Sequence, residues 1–247
     1  MVDVLGWRSV FGVLAPSTNT VVEPDYYRMS VPGVTAHVSR IHIRDQKLAS
    51  NEDFEGLLEQ IRAEIEASCE RLLTCDPDYL VMGMSAETFW GGIEGNRQFT
   101  EHLEGFSGKR LATGADAVRR ALDLFGSRRL GVVTPYQPIA DDNVRLFLSE
   151  CGYDVVKLEG LKCPSAVDIA RVPEATLRAA IRAVDGPDID AIVQVGTNLS
   201  MVRLADEAER WLDKPVIAIN AATWWHALRT NGITDQIHAS GTLLREY

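Results

Sequence analysis

The sequence predicts an α/β fold that is built from parallel sheets and divided into two similar halves. Short apolar runs rich in β-branched residues alternate with longer amphipathic segments, which is the order of strands and helices in such folds. The strand-like runs are apolar almost throughout, as expected where both faces of a sheet are covered. Several runs recur in the same order along the chain, which indicates a duplicated unit.

The predicted elements follow from these patterns in chain order. The first strand ends where Pro16 interrupts its apolar run. Strands are predicted at 11–15, 79–83, 130–133, 191–195 and 215–219. Helices are predicted at 51–73, 143–150, 174–184 and 206–212, where apolar residues recur at roughly helical spacing.

The internal repeat predicts where a ligand would bind. Ligands of open α/β sheets bind beyond the carboxyl ends of the strands, so two similar halves facing each other would close a cleft. We therefore expect Ser85 and Thr197, each seven residues after a repeated aspartate, to face each other across that cleft. The matched segments are 12–16 with 131–135, 78–81 with 190–193 and, more weakly, 109–122 with 214–228.

Composition and charge argue against several classes of protein. The 247 residues include 25 Lys and Arg against 35 Asp and Glu, a formal net charge of −10 that disfavours nucleic-acid partners. No apolar run approaches the roughly 20 residues of a membrane-spanning helix, so no membrane partner is expected. The N-terminus lacks a signal-peptide pattern, and the four cysteines lack CxxC or metal-ligand spacing. A reduced, cytoplasmic protein is the expectation.

Polar and small residues follow the first two strands that belong to the repeat. Ser17 and Asn19 are interpreted as caps of the next helix, as a carboxylate cradle, or as both. Ser85 is a candidate for substrate binding, for helix capping or, with an activating base, for nucleophilic attack, although no GxSxG motif is present. Ala86 lies where small residues let backbone amides approach a ligand. Glu87 is either a general acid or base in a dry cleft or a solvated carboxylate.

The equivalent loops of the second copy carry Tyr136 and the segment 196–198. The phenol of Tyr136 could donate to a carboxylate or enolate oxygen, and a structural core tyrosine is the alternative. Gly196, Thr197 and Asn198 follow a buried strand in a pattern typical of an oxyanion site, whereas Asn220 is a weaker candidate. No GxGxxG or GxxxxGK[ST] motif supports nucleotide binding, and the five histidines are scattered, so no metal is expected.

Several of these segments resemble one enzyme family. Residues 12–24 resemble the opening of maleate cis–trans isomerases. Tyr136 and the segments 169–172 and 215–228 resemble the same proteins and arylmalonate decarboxylase, all of the aspartate/glutamate racemase superfamily. The resemblance covers nearly the whole chain.

The resemblance implies two Rossmann-like halves about a pseudo-twofold axis, with the active site between them. We place the first half at 1–112 plus 219–247 and the second at 113–218. It also implies a homodimer or homotetramer, no cofactor or metal, and a small carboxylic or dicarboxylic acid as substrate. The reaction would pass through carbanion or ene-diolate character beside a carboxylate. Asn19 and Tyr136 correspond to substrate-binding positions, and Cys163 lies near a loop that contacts substrate in the isomerases.

The catalytic cysteine positions of the family are where this sequence departs from it. Ser85 falls at the first position, and Gly196 or Thr197 falls at the second. None of the four cysteines occupies either position. A serine hydroxyl lacks the nucleophilicity of a partly ionised thiol, and Ser85 with Thr197 does not form a pair of bases.

Decarboxylation is therefore the favoured reaction, because it needs only an oxyanion site, an apolar pocket for the departing carboxylate and a proton source. Glu87 or Cys163 would supply the proton. The alternatives are a maleate-type isomerase or racemase, a hydrolase that uses Ser85 or a held water, and a carboxylate-binding protein without catalysis. The candidate oxyanion residues are Ser85, Thr197, Asn198 and Tyr136.

Overall fold

The computed structural model describes residues 3–247 and confirms the predicted α/β fold. Two sheets of four parallel strands have the orders β2-β1-β3-β4 and β6-β5-β7-β8, so the second repeats the topology of the first. All five predicted strands are present, as β1, β3, β5, β7 and β8. The strands are β1 (Ser9–Pro16), β2 (Val34–Ile41), β3 (Tyr79–Met82), β4 (Leu111–Ala112), β5 (Arg129–Thr134), β6 (Asp154–Gly160), β7 (Ala191–Gln194) and β8 (Val216–Ala218).

The three strands that the sequence did not predict occupy the edges of the sheets. The side chains of β2 and β6 are mostly half-buried or exposed, unlike the buried side chains of β1 and β3. Polar residues therefore interrupt their apolar pattern. The strand β4 has only two residues, too few for any periodicity.

The helices cover the sheets, and α2 and α7 have the predicted bounds. A capping box defines the start of α2, because the Ser50 side chain accepts from the Asp53 N–H and the Asp53 carboxylate accepts from the Ser50 N–H. No helix among residues 3–247 is long and apolar enough to cross a membrane. The helices are α1 (Val22–Arg28), α2 (Asn51–Leu73), α3 (Ala86–Phe89), α4 (Gly92–Ser107), α5 (Gly114–Phe125), α6 (Pro138–Glu150), α7 (Glu174–Val184), α8 (Val202–Leu212), α9 (Ile219–Thr230) and α10 (Thr242–Glu246), with a 3₁₀ helix at Asp168–Arg171.

The repeated aspartates have the same structural role in both halves. Asp78 Oδ2 accepts from the Val10 N–H at 2.8 Å, and Asp190 Oδ2 accepts from the Arg129 N–H at 2.8 Å. Their own N–H groups donate to the carbonyls of the same residues. Each aspartate thus ties the start of the third strand of its half to the start of the first. The sequence repeat therefore reflects a repeated anchoring of strands.

The carboxyl ends of the two sheets meet at one place. The Gly83 N–H donates to the Leu14 carbonyl and the Val195 N–H donates to the Val133 carbonyl, so the loops after β3 and β7 leave their sheets in equivalent directions. After β8 the chain enters α9, which packs against β3 and β4 of the first sheet and against α5. The boundaries at 112/113 and 218/219 stay a prediction.

Candidate active site

A cavity lies between the two sheets where the strand-end loops meet. It encloses about 590 Å³ of empty space, part of it open to solvent. Both copies of the repeat contribute to its wall, as the sequence predicted for a cleft between two halves. Its lining residues are Pro16, Thr18, Asn19, Ile43, Leu48, Phe54, Leu57, Ile61, Met84, Ser85, Ala86, Pro135, Tyr136, Gln137, Cys163, Ala166, Ile169, Gly196, Thr197 and Asn198.

Ser85 and Thr197 meet in this cavity, which confirms their predicted juxtaposition. The Thr197 N–H donates to Ser85 Oγ at 3.2 Å, and Ser85 Oγ lies 2.7 Å from the Tyr136 phenol oxygen. The Ser85 side chain does not cap α3. Its oxygen accepts from Thr197, and the two hydroxyls share one of their hydrogens. The pair therefore has one hydrogen left to donate to a ligand, from either Tyr136 or Ser85.

The polar groups of Thr197 are all engaged within the protein. Its hydroxyl donates to the Gly83 carbonyl at 3.0 Å and accepts from Asn19 Nδ2 at 3.0 Å. Its carbonyl accepts from Asn220 Nδ2 at 3.0 Å, and its N–H is on Ser85. No hydrogen of Thr197 is free for a ligand. The geometry gives this residue the role of joining the two halves and orienting Ser85.

The backbone N–H groups of Ala86 and Asn198 are available instead. These residues hold equivalent positions, one residue after Ser85 and Thr197, and both line the cavity. Among residues 3–247, neither N–H has a protein acceptor. The Asn198 side chain is fixed, because it accepts from the Thr20 N–H and donates to the Ala166 carbonyl. Two such N–H groups together suit the oxygen atoms of a carboxylate.

Asn19 combines the two roles predicted for its loop. Its Oδ1 accepts from the N–H groups of Val21 and Val22, each at 3.0 Å, and so caps the start of α1. Its Nδ2 donates one hydrogen to Thr197, and the residue belongs to the lining of the cavity. The cap fixes the orientation of the amide, because Oδ1 must face the helix.

The backbone conformation of Gly196 makes the loop after β7 possible. Its φ is +109°, and a Cβ at this position would lie 2.5 Å from Pro135 Cδ. Only glycine fits such a site without displacing the neighbouring strand end. The turn at Gly196 brings Thr197 onto Ser85.

The structure does not bring Ser17 or Glu87 into the cavity, which corrects the sequence-based interpretation. Ser17 Oγ bonds to the N–H and carbonyl of Ile43 and joins two loops. Glu87 Oε1 accepts from Arg62 Nε at 2.6 Å, in a groove between α2 and α4. Its Oε2 is buried without a partner, and burial raises the pKa of this carboxyl despite the nearby guanidinium. The direction in which a side chain of a short helix points cannot be predicted from the sequence.

Cys163 is the one thiol among the lining residues. Its N–H donates to the Pro135 carbonyl at 2.9 Å, which places it beside the Tyr136 loop. Burial, and the negative charge of Asp168, raise the pKa of the Cys163 thiol to about 11. The thiol is therefore protonated near neutral pH. It can give a proton to a strong base, but it is a poor nucleophile.

One part of the wall is apolar, and sequence reasoning did not assign it to the site. Phe54, Leu57 and Ile61 project from α2, and Phe54 packs edge-on against Tyr136 with ring centroids 5.6 Å apart. Their helical periodicity predicted a buried face, but the partner of that face depends on tertiary packing. Gln137 closes the wall by donating to the Leu48 carbonyl at 2.6 Å.

The lining is uncharged. Across residues 3–247, none of the side chains that line the cavity belongs to Lys, Arg, His, Asp or Glu. Within the same part of the chain, no three His, Cys, Asp or Glu side chains group closely enough to hold a metal ion. A bound carboxylate would meet neutral hydrogen-bond donors and hydrocarbon, and no charged side chain.

Comparison with known proteins identifies relatives of the whole chain. The family model described as arylmalonate decarboxylase matches residues 32–244. Maleate isomerase of Pseudomonas putida is 21% identical over 239 residues, which cover 94% of this chain and 96% of that protein. Arylmalonate decarboxylase of Bordetella bronchiseptica is 28% identical over 157 residues, which cover 62% of this chain and 64% of that protein.

A solved structure shares the same fold. It is a mutant of the Nocardia farcinica maleate cis–trans isomerase with a covalently bound succinylcysteine intermediate. The TM-score is 0.87 at 20% identity, and the match covers 96% of this chain and 98% of that chain. Two sheets in the same arrangement therefore occur in an enzyme that was captured with a covalent cysteine adduct.

Proposed function

This chain belongs to the arylmalonate decarboxylase family, and we propose that it is a cofactor-independent enzyme that decarboxylates a small substituted malonate-type diacid. The observation that carries the proposal is the composition of the cavity wall. The strand-end loops supply neutral donors, α2 supplies hydrocarbon side chains, and the protonated thiol of Cys163 belongs to the same uncharged lining. This distribution suits a reaction in which one carboxylate is retained and the other is lost.

The retained carboxylate would bind at the donors. These are the single free hydrogen of the Ser85–Tyr136 pair and the N–H groups of Ala86 and Asn198. The free amide hydrogen of Asn19 adds to them. As negative charge grows on the retained carboxylate in the transition state, hydrogen bonds from pre-oriented donors strengthen, which lowers the barrier.

The departing carboxylate would lie against the apolar wall, which offers it no hydrogen bonds. An ionised group without solvent or partners is unstable there, and its loss as neutral CO₂ removes the penalty. The bond between the α-carbon and this carboxylate breaks, CO₂ leaves, and the electron pair stays on the α-carbon. The charge spreads into the retained carboxylate as an ene-diolate.

Cys163 would complete the reaction by protonating the α-carbon. The thiol S–H is intact near neutral pH because burial raises its pKa to about 11. Proton transfer to a carbanion is favourable, since the carbanion is the much stronger base. The thiolate then regains a proton from solvent at the open side of the cavity.

The same contacts weigh against the isomerase alternative. Covalent addition to a double bond needs a reactive nucleophile. Ser85 has Thr197 and Tyr136 as hydrogen-bond partners, and neither is a base. Cys163 is held as a thiol. The hydrolase alternative meets the same difficulty, because no base among residues 3–247 is hydrogen-bonded to Ser85.

The test is direct incubation of the purified protein with phenylmalonate, methylmalonate and maleate in D₂O, followed by NMR. We expect a substituted malonate to lose CO₂ and to gain one deuterium at the α-carbon. Clean conversion of maleate to fumarate would replace the lyase by an isomerase. A covalent mass increase at Ser85 would support the hydrolase. Thermal stabilisation by diacids without any product would indicate a binding protein.

A further inference from the structure

Asn220, at the start of α9, links the cavity to a buried carboxylate that the proposed mechanism does not use. Its Nδ2 donates one hydrogen to Asp25 Oδ2 at 2.9 Å and the other to the Thr197 carbonyl at 3.0 Å. All three residues are at most 5% exposed. Neither Asn220 nor Asp25 lines the cavity. The link therefore acts on the site only through Thr197.

The orientation of the Asn220 amide is determined by its neighbours. Both contacts are to oxygen acceptors, so the NH₂ group faces them. Oδ1 is left buried without a partner in the described part of the chain. An unpaired buried oxygen is costly, so the two hydrogen bonds on the other side have to keep the side chain in place. Asn220 is thus a pair of donors directed at two fixed acceptors.

Thr197 is consequently held to α1 at two points. Asn19, which caps that helix, donates to its hydroxyl, and Asp25, within the same helix, holds its carbonyl through Asn220. Both attachments cross from the first half of the fold to a loop of the second. Together they set the direction of the Thr197 N–H, which donates to Ser85 Oγ.

We propose that Asn220 and Asp25 are positioning residues that hold the Thr197 N–H on Ser85 Oγ and so select which way the Ser85–Tyr136 pair directs its free hydrogen. If the Thr197 N–H leaves Ser85 Oγ, the serine hydroxyl can rotate and the donor no longer points at one place. The catalytic part of this inference rests on the proposed function, whereas the geometric part does not.

Asp25 is suited to this role by its surroundings. Burial raises its pKa to about 6, so the group is a carboxylate near neutral pH and a strong acceptor for Asn220. Arg28 Nη1 lies 3.7 Å from its other oxygen. The ionised group therefore has a partner on each side.

The geometric test is hydrogen exchange of the Thr197 amide, measured by mass spectrometry on fragments that cover 195–201. Asn220→Asp keeps the size of the side chain but leaves at most one donor, on a protonated carboxyl, and Asn220→Ala removes the side chain. We expect each to speed exchange at Thr197 by about tenfold or more, because the anchoring contact is lost. Asn231→Ala is the matched control, since Asn231 donates to the Ala227 carbonyl at the far end of the same helix.

The outcomes of hydrogen exchange test the geometric part of the inference without any measurement of a reaction. Faster exchange in the Asn220 variants but not in Asn231→Ala supports the inference. Unchanged exchange in Asn220→Ala overturns it, and so does an equal effect of Asn231→Ala, which would indicate general loosening of α9. If Asn220→Asp does not fold, Asn220→Ala alone gives the answer.

The catalytic test compares kcat with KM. We expect Asn220→Ala to lower kcat by about tenfold with little change in KM, because the aligned donor stabilises the transition state more than the bound substrate. Asp25→Asn keeps an acceptor oxygen for Asn220 and should retain more activity than Asp25→Ala. Equal loss in both Asp25 variants would contradict the positioning role. Failure of the proposed function would instead show in the wild type, as no turnover of any acid.

Discussion

Ser85 Oγ and the Tyr136 phenol oxygen lie 2.7 Å apart, in a hydrogen bond that joins the first half of the fold to the second. Burial raises the pKa of the Tyr136 phenol strongly, so it remains a neutral donor. With the Thr197 N–H on Ser85, the two hydroxyls act as one donor. Several consequences of this arrangement, and of the cavity around it, are measurable.

Loss of either hydroxyl should impair the oxyanion site. We expect Ser85→Ala and Tyr136→Phe each to lower kcat/KM by about 10²-fold, which is typical for removal of one oxyanion donor. Because the two side chains work as a unit, the double variant should be little worse than either single variant. Steady-state kinetics on the substituted malonate that turns over gives the comparison.

Tyr27→Phe is the control for the phenol, since Tyr27 is exposed on α1 and bonds to Glu23. Tyr27→Phe should leave kcat and KM unchanged. Wild-type rates in both Ser85→Ala and Tyr136→Phe would remove these residues from the site. Multiplicative losses in the double variant would mean that the two hydroxyls donate independently.

Cys163 should be needed for turnover but not for binding. Its thiol lines the cavity and stays protonated near neutral pH, so Cys163→Ala removes the proton donor and leaves the carboxylate donors intact. We expect kcat to fall by about 10²- to 10⁴-fold, as for other general acids, with KM nearly constant. Cys75→Ala is the matched control, because Cys75 is exposed. Full activity of Cys163→Ala would show that the proton comes from elsewhere.

A positively charged side chain in the apolar wall should increase the affinity for the diacid and decrease kcat. Leu48 is held by its backbone, which donates to Pro164 and accepts from Gln137, so its side chain can be replaced without loss of these bonds. In Leu48→Arg, the guanidinium can pair with the carboxylate that would otherwise depart. We expect binding of the diacid to tighten by about tenfold and kcat to fall by at least about tenfold, because the ground state is stabilised more than the transition state.

Calorimetry and steady-state kinetics separate the two effects of Leu48→Arg. Leu48→Met is the control, because it nearly conserves volume and adds no charge. It should keep both constants close to those of the wild type. An increase of kcat in Leu48→Arg would show that the apolar wall does not act by withholding stabilisation from the departing group.

Asp141 should make stability depend on pH in the acid range. Its carboxylate accepts from the Thr134 hydroxyl beneath the Tyr136 loop, and burial raises its pKa from 3.8 to about 6. The folded protein then binds this proton more tightly than the unfolded chain does. The contribution of Asp141 is therefore most favourable below about pH 4 and is lost as pH rises to about 6.

Asp141→Asn lacks this ionisation. We expect its free energy of unfolding, relative to the wild type, to increase by about 2 kcal/mol between pH 4 and pH 7, because the carboxyl of the unfolded chain is already more than half ionised at pH 4. Urea denaturation at both pH values measures the change. Asp142→Asn, at the exposed neighbouring position, should show no comparable increase. If the difference in unfolding free energy between Asp141→Asn and the wild type does not change with pH, the carboxyl ionises equally easily in the folded and the unfolded protein.

Local pattern predicted much of the fold but only one of the four edge strands, β8. The central strands β1, β3, β5 and β7 are continuous apolar runs, and both α2 and α7 carry a full apolar face, so the sequence predicts them. The edge strands β2 and β6 were not predicted, because one of their faces meets solvent and polar residues interrupt the run. Their hydrogen bonds to β1 and β5 come from residues distant in the chain.

The sequence by itself determined the parallel strands, the repeat and the polar loops at the strand ends, because each depends on residues that are near neighbours in the chain. Only the tertiary structure decided what those loops present. Glu87 bonds to Arg62 outside the cavity, the Thr197 hydroxyl donates to Gly83, and the Cys163 thiol remains inside. The direction of a side chain and the partner of its hydrogen depend on groups brought together by folding, and no local pattern encodes them.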